Sequence, residues 1–179
     1  MNTRKYTFGP VPSRRLGFSL GIDIIPMKTC TYNCTYCQLF QTSKHTIQRQ
    51  SFVDKEAVLA EIKQVVKNTS DIDYLTFSGS GEPTLNADLG WLIKESKKIA
   101  ALPVAVITNS SLLWMPDVRK DLEFANLVAP SVDSVSVESW EAINRPAPGI
   151  TLPNILDGLK TFCHEHKGAI WLEVMILEG

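Results

Sequence analysis

The sequence predicts an α/β protein organised around a parallel sheet, on three observations. Short apolar segments of strand length alternate with amphipathic helical stretches along most of the 179 residues. The length suits one domain with a sizeable core. The residues just after four of the five apolar segments are small, polar or metal-binding, and a parallel sheet gathers such strand ends on one rim.

Residues 1–18 are rich in Gly, Pro and Arg and read as a lead-in; residues 19–179 read as the core domain. "FSLGIDIIP" (18–26) is the first strand, ended by Pro26. Asp54 then caps a helix carrying Val58, Ile62, Val65 and Val66 on one face. "DYLTFSG" (73–79) is the second strand, followed by a helix capped at Asn86 with Leu89, Leu92, Ile93 and Ile99 inward. "VAVITN" (104–109) is the third strand, a short helix spans about 116–123, and "NLVAPSV" (126–132) is the fourth strand. Pro153 suits the first turn of another helix, with Ile155, Leu159, Phe162 and Cys163 inward. "AIWLEVMIL" (169–177) is the fifth strand.

Charge and composition narrow the class. No apolar run approaches the roughly 18 residues that cross a bilayer, and the N-terminal segment has no apolar signal region. A cytoplasmic location is expected, without membrane contact. Residues 1–50 carry Arg4, Lys5, Arg14, Arg15, Lys28, Lys44 and Arg49 against Asp23, a net charge of +6 against −7 for the remainder. A basic segment on an acidic body suits an anionic partner or a solvated surface equally.

"CTYNCTYC" (30–37) sets Cys30, Cys34 and Cys37 at C-x₃-C-x₂-C, directly after the first strand. Cysteines in such a chain point to metal or catalysis rather than disulfides. Thiolates suit zinc or iron–sulfur clusters. A structural zinc site takes four ligands, and catalytic zinc takes three plus water; His45 lies eight residues past Cys37, though three cysteines are an unusual catalytic zinc set. A [4Fe–4S] cluster takes one thiolate per iron, so three cysteines leave one iron open. Cys163, on an apolar helix face, reads as a core residue.

The cysteine motif, with Tyr36 before its last cysteine, resembles the signature of the radical S-adenosylmethionine (SAM) superfamily. "SGEP" (80–83) resembles that superfamily's GGEP segment, and "TNSSLL" (108–113) its TNG-type strand end. "GPVPSRRLGFSLGIDIIPMKTCTYNCTYCQ" and "INRPAPGITL" (143–152) resemble the group related to wyosine-forming tRNA enzymes. The resemblance runs from about residue 9 to the end. It implies a partial (β/α)6 TIM-like barrel, truncated here to about five strands. It implies that Cys30, Cys34 and Cys37 ligate a [4Fe–4S] cluster and that S-adenosyl-L-methionine chelates the open iron. Reductive cleavage of SAM would then give a 5′-deoxyadenosyl radical that abstracts hydrogen from a substrate, an oxidoreductase-type chemistry.

The same resemblance makes Tyr36, Ser80, Gly81, Glu82, Asn109, Ser131 and Asp133 cofactor-binding candidates and puts Ile176 near the adenine. It implies an electron donor such as flavodoxin or ferredoxin. Arg14, Arg15 and Arg145 are weaker candidates for a substrate anion. The substrate itself stays open between tRNA and a peptide or small molecule. A non-catalytic iron–sulfur or zinc protein that retained the fold is the alternative from another class.

Overall fold

The computed structural model describes residues 4–176. In chain order its elements are β1 (Thr7–Ser13), β2 (Gly17–Ile22), β3 (Thr29–Cys30), β4 (Lys44–His45), α1 (Lys55–Asn68), β5 (Tyr74–Phe77), a 3₁₀ turn (Pro83–Leu85), α2 (Leu89–Ile99), β6 (Val104–Thr108), α3 (Pro116–Leu122), β7 (Leu127–Pro130), α4 (Val137–Asn144), α5 (Leu152–Glu165) and β8 (Ala169–Ile170). One sheet runs β1-β2-β5-β6-β7-β8, and β3 pairs with β4 separately. From β2 to β8 the five neighbouring strands are parallel; β1 is antiparallel to β2. This is the open parallel core of a partial TIM-like barrel, with the five parallel strands expected.

The period-2 alternation of each strand sorts its side chains to two faces. Leu20, Ile22, Leu75, Phe77, Val104, Val106 and Val128 face the helices and join Val58, Ile62, Leu92, Ile93, Leu122 and Phe162 in the main core. On the opposite face the Ser19 and Thr76 hydroxyls bond at 2.6 Å, and Leu16, Ala105 and Leu127 form a small separate cluster. A second core of Tyr32, Trp140, Ala147, Ile150, Leu152 and Ile155 packs against Cys30 and Cys34.

Several expectations hold and several are corrected. Asp54 caps α1, its carboxylate accepting from Glu56 and Ala57 N–H at 3.0 and 3.2 Å. Asn86 does not cap α2. It closes the 3₁₀ turn, donates to the Ile24 carbonyl at 2.9 Å and accepts from Asp88 N–H at 2.9 Å, and the helix starts at Leu89. The first strand ends at Ile22 rather than Pro26, because Asp23 turns away to bond the loop after β5. The fifth parallel strand is regular only over Ala169–Ile170; beyond it, Trp171 and Glu173 N–H still bond the Val128 and Pro130 carbonyls, and residue 177 lies outside the described residues. Cys163 is exposed, not core, because α5 turns Leu152, Ile155, Gly158 and Phe162 inward instead. Among the described residues no helix is long and apolar enough to cross a membrane.

The lead-in contributes β1, and one carboxylate fastens it. Glu61 on α1 accepts from the N–H groups of Lys5, Tyr6 and Thr7 at 3.0, 3.0 and 2.8 Å and from the Thr7 hydroxyl at 2.8 Å. Burial alone would raise its pKa, but these donors outweigh it and hold the carboxyl below its usual value of about 4.5. A depressed carboxyl pKa contributes stability above the unfolded-state value and loses it as pH falls through the folded-state one. Acidification below about pH 4.5 is therefore expected to loosen β1 before the parallel core. Glu61→Gln should cost about 1–2 kcal/mol in urea unfolding and raise amide exchange at Tyr6 and Thr7. Unchanged exchange there would show that β1 is held by its pairing to β2 alone.

Candidate functional site

The carboxyl ends of β2, β5, β6 and β7 converge on a cleft of about 270 Å³. Cys30, Cys34 and Cys37 line it together with Tyr36, Ser80, Gly81, Glu82, Asn109 and Ser131. The fold thus brings together the three cysteines and every cofactor-binding candidate except Asp133, which lines the recess next door, while Arg14, Arg15 and Arg145 lie outside this cleft. Ile176 is exposed beyond β8 and does not line this cleft.

The cysteine loop is held at both ends and across its middle. Cys30 ends β3, and its carbonyl accepts from Thr46 N–H at 3.1 Å. Cys37 N–H reaches the Cys34 carbonyl at 3.2 Å. On the far side, Asn33 N–H bonds the Asn144 carbonyl at 3.0 Å, Thr35 N–H bonds the Ile143 carbonyl at 2.9 Å, and Ala147 N–H bonds the Thr31 carbonyl at 2.8 Å. The end of α4 and the Arg145–Ala147 turn therefore clamp the loop. Arg145 makes that turn in the left-handed region, at φ 47°, and its side chain is exposed.

The segment "SGSGEP" supports the loop from β5. Asp23 accepts from Ser80 N–H at 3.0 Å and also from the Ser80 hydroxyl. Glu82 N–H bonds the Thr29 carbonyl at 3.3 Å. A Cβ on Gly81 would lie 1.8 Å from that same carbonyl, so only glycine allows the two backbones to approach.

Glu82 is buried, and its oxygens accept from Thr84 N–H (3.1 Å), Thr84 Oγ1 (2.6 Å), Thr108 Oγ1 (2.6 Å) and Asn109 N–H (2.7 Å). Burial raises its pKa, opposed by these donors. Glu82 thus ties the end of β6 to the turn after β5. Asn109, positioned by that bond, donates to Thr31 Oγ1 at 2.8 Å and to Cys30 Sγ at 3.5 Å. Asp133 accepts from the Tyr36 hydroxyl and from Asn144 Nδ2 at 2.6 Å, and the same Asn144 group reaches Cys34 Sγ at 3.4 Å. The Ser131 carbonyl accepts from the Ser110 hydroxyl at 2.7 Å.

Burial pushes the Cys30 thiol up to about 12, with the Glu82 charge adding to it. Burial also raises the Cys34 thiol, opposed by the Asn144 donor. Tyr36 is raised by burial and by its bond to Asp133. Thiols in such surroundings stay protonated until a metal displaces the proton. The donor set itself is three soft sulfurs on one open cleft. Among the described residues no three His, Cys, Asp or Glu side chains are gathered to hold a single ion. Three thiols spread along a cleft suit a group that takes one thiolate per iron. His45 bonds the Thr31 carbonyl at 3.1 Å and does not line the cleft.

Sequence reasoning passed over Lys28, Thr31, Thr108, Ser111 and Asn144, all of which brace the cysteines or their supports. Lys28 stands two residues before Cys30 and Asn144 inside the quoted "INRPAPGITL" segment. Residue spacing alone does not show that either side chain reaches sulfur.

An open parallel α/β sheet whose strand ends gather a three-thiol loop and a small-residue turn defines a class of cluster-binding, barrel-type proteins. The profile of the Radical SAM superfamily matches residues 24–179, and the chain belongs to that superfamily. Members of the superfamily use a [4Fe–4S] cluster and S-adenosylmethionine. The chain is 45% identical over 174 residues to a protein called GTPase Obg of Brachyspira hyodysenteriae, covering 97% of this chain and 26% of that protein. No G-x₄-G-K-[S/T] phosphate loop occurs in the present sequence, so the shared stretch is not a nucleotide-binding P-loop. A UPF0026 protein of Methanocaldococcus jannaschii is 45% identical over 172 residues, 95% of this chain and 53% of that one. The chain thus spans about a quarter and about half of these two relatives. The structure of TYW1 with a lysine–pyruvate adduct bound superposes with a TM-score of 0.63 at 19% identity, covering 90% of this chain and 56% of that one. That likeness is one of fold.

Gly81→Ala should cost about 1–3 kcal/mol through overpacking and lower the iron retained after reconstitution, because the new methyl drives Thr29 and the start of the cysteine loop away. Thermal unfolding and iron analysis read the two effects. Wild-type values for both would mean that the loop accommodates the methyl and that this contact does not set the cleft.

Proposed function

We propose that this chain is the catalytic core of a radical SAM enzyme in which Cys30, Cys34 and Cys37 ligate three irons of a [4Fe–4S] cluster and S-adenosylmethionine chelates the fourth. The observation that carries the reading is the convergence of the three thiols with Ser80, Gly81, Asn109 and Ser131 on one cleft at the strand ends. When bound and reduced, the cluster supplies the electron that cleaves SAM to methionine and a 5′-deoxyadenosyl radical, which takes a hydrogen atom from substrate. A one-electron carrier such as flavodoxin or ferredoxin would deliver that electron.

The chain's own residues hold and orient. The Ser80, Glu82 and Pro83 carbonyls are taken by Lys28, Leu85 and Asn86 N–H, so the Gly81 carbonyl, on a residue that lines the cleft, is the one that suits the methionyl ammonium. Asn109 and Ser131 suit the carboxylate or ribose. Tyr36 is fixed by Asp133, which makes it a rigid wall beside the cluster loop rather than a proton carrier. Glu82 has all its oxygen capacity directed at the protein, so it positions Asn109 rather than touching SAM.

Anaerobic reconstitution should load about four irons, the count of one [4Fe–4S] cluster, and the reduced protein should release 5′-deoxyadenosine from SAM. Cys34→Ala should abolish both. A colourless wild-type protein holding one zinc and no sulfide would instead support the non-catalytic reading.

A second, finer reading concerns the substrate. Arg14 and Arg15 line a recess of about 600 Å³ that shares Tyr36, Ser131 and Asp133 with the site. Arg15 is paired with Glu173, which among the described residues leaves Arg14 as the unpaired one of the recess's two arginines, placed to meet an anionic substrate. If that substrate is tRNA, filter binding should weaken steeply with added salt, and Arg14→Ala should flatten the slope. Absent or salt-insensitive binding would exclude the RNA version.

A further inference from the structure

We infer that Lys28 is the counter-ion of the cluster, a buried ammonium that sets how readily the cluster accepts its electron. The inference rests on the proposed cluster reading and goes beyond it. Lys28 is 8% exposed. Its ammonium lies 3.4 Å from Cys37 Sγ and also donates to the Phe40 carbonyl. Among the described residues it forms no ion pair with any carboxylate. A buried cation without an anion is costly. Glu82 also lines the cleft, but its oxygens accept from Thr84, Thr108 and Asn109; the group beside the ammonium is the Cys37 sulfur, a thiolate once iron is bound.

The backbone commits Lys28 to this place. Its φ is 61°, a left-handed conformation that side-chain-bearing residues seldom adopt and that recurs at functional positions. Its N–H bonds the Ser80 carbonyl at 2.8 Å, and its own carbonyl accepts from Ser43 and Lys44 N–H at 3.0 and 3.1 Å. The residue is therefore pinned between the turn after β5 and the β4 segment, with its side chain laid along the cysteine loop.

The other two sulfurs are served in a parallel way. Asn109 Nδ2 lies 3.5 Å from Cys30 Sγ and Asn144 Nδ2 lies 3.4 Å from Cys34 Sγ. Each cysteine thus has one side-chain N–H donor, brought by a different part of the fold. Hydrogen bonds to sulfur and local charge both set cluster potential. Lys28 alone brings a full charge. On reduction the cluster gains one unit of negative charge. A nearby buried cation stabilises that state more than the oxidised one, because the attraction scales with the product of the charges.

The test is a potentiometric titration of the reconstituted protein with dithionite as electron source, followed by electron paramagnetic resonance. Lys28→Met keeps length and removes charge; Lys28→Gln keeps an N–H donor and removes charge; Lys28→Arg keeps charge. The midpoint should shift to more negative potential in the Met and Gln variants and stay near the wild-type value in Arg. If the neutral variants fold by circular dichroism but hold no cluster while Lys28→Arg loads, the counter-ion role is upheld. Loss of the cluster in all three would show a structural role for lysine's shape and overturn the inference. So would loaded neutral variants with a wild-type midpoint. Failure of the wild-type protein itself to assemble a cluster would overturn the function reading first, which separates the two.

Discussion

The buried carboxylate of Glu82 is the interaction on which the cleft depends. A carboxylate removed from water carries a desolvation penalty of several kcal/mol. Hydrogen bonds to a charged acceptor return about 1.5–3 kcal/mol each, and Glu82 accepts four. The donors oppose that penalty without cancelling it, since burial still holds the carboxyl above its usual pKa: two come from Thr84 in the 3₁₀ turn, one from Thr108 at the end of β6, and one from Asn109 just beyond it. The consequence reaches further than those residues. Asn109, once its backbone is held, is aimed at Thr31 and Cys30. A buried carboxyl at the base of the cleft therefore sets the orientation of a donor at its wall.

The sheet's register supplies the rest of the geometry. Neighbouring parallel strands end at similar heights, so the turns after β2, β5, β6 and β7 open on the same side. The motifs that follow them in sequence, far apart along the chain, then share one surface. This is why the strand ends were informative in the sequence: alternation gave the strands, parallel pairing gave a common rim, and the small or polar character of "SGSGEPT" and "TNSS" marked that rim as a place where backbone meets ligand.

The parts that were not legible are those decided by tertiary contact. Cys163 sits one residue from the buried Phe162, and a shift of one helical position is enough to turn a thiol from core to solvent. Asn86 has the sequence look of a helix cap, but the Ile24 carbonyl competes for its amide. α4 was missed because "VESWEAIN" buries only Trp140 and Asn144, too few apolar positions to show a helical period. β1 was hidden by its glycine and prolines, and its anchor Glu61 belongs to a helix more than fifty residues away. Lys28 looked like one of several basic residues in the N-terminal third; only the packing distinguishes it from the exposed ones.

The two cores divide the labour between fold and site. The main core joins sheet and helices without any of the three site cysteines. The smaller cluster of Tyr32, Trp140, Ala147, Ile150, Leu152 and Ile155 packs directly on Cys30 and Cys34, and Trp140 Nε1 bonds the Tyr32 hydroxyl at 3.1 Å. Small metal domains that fold only on binding their ion draw folding energy from the metal. Here the sheet has its own apolar support, and the cysteine loop is clamped by α4 on one side and by Glu82 and Gly81 on the other. The loop is thus tied to the rest of the protein on both flanks by backbone hydrogen bonds. Contacts from separate elements on either side of the loop hold the three thiols at the cleft more precisely than a loop braced only by its own residues could.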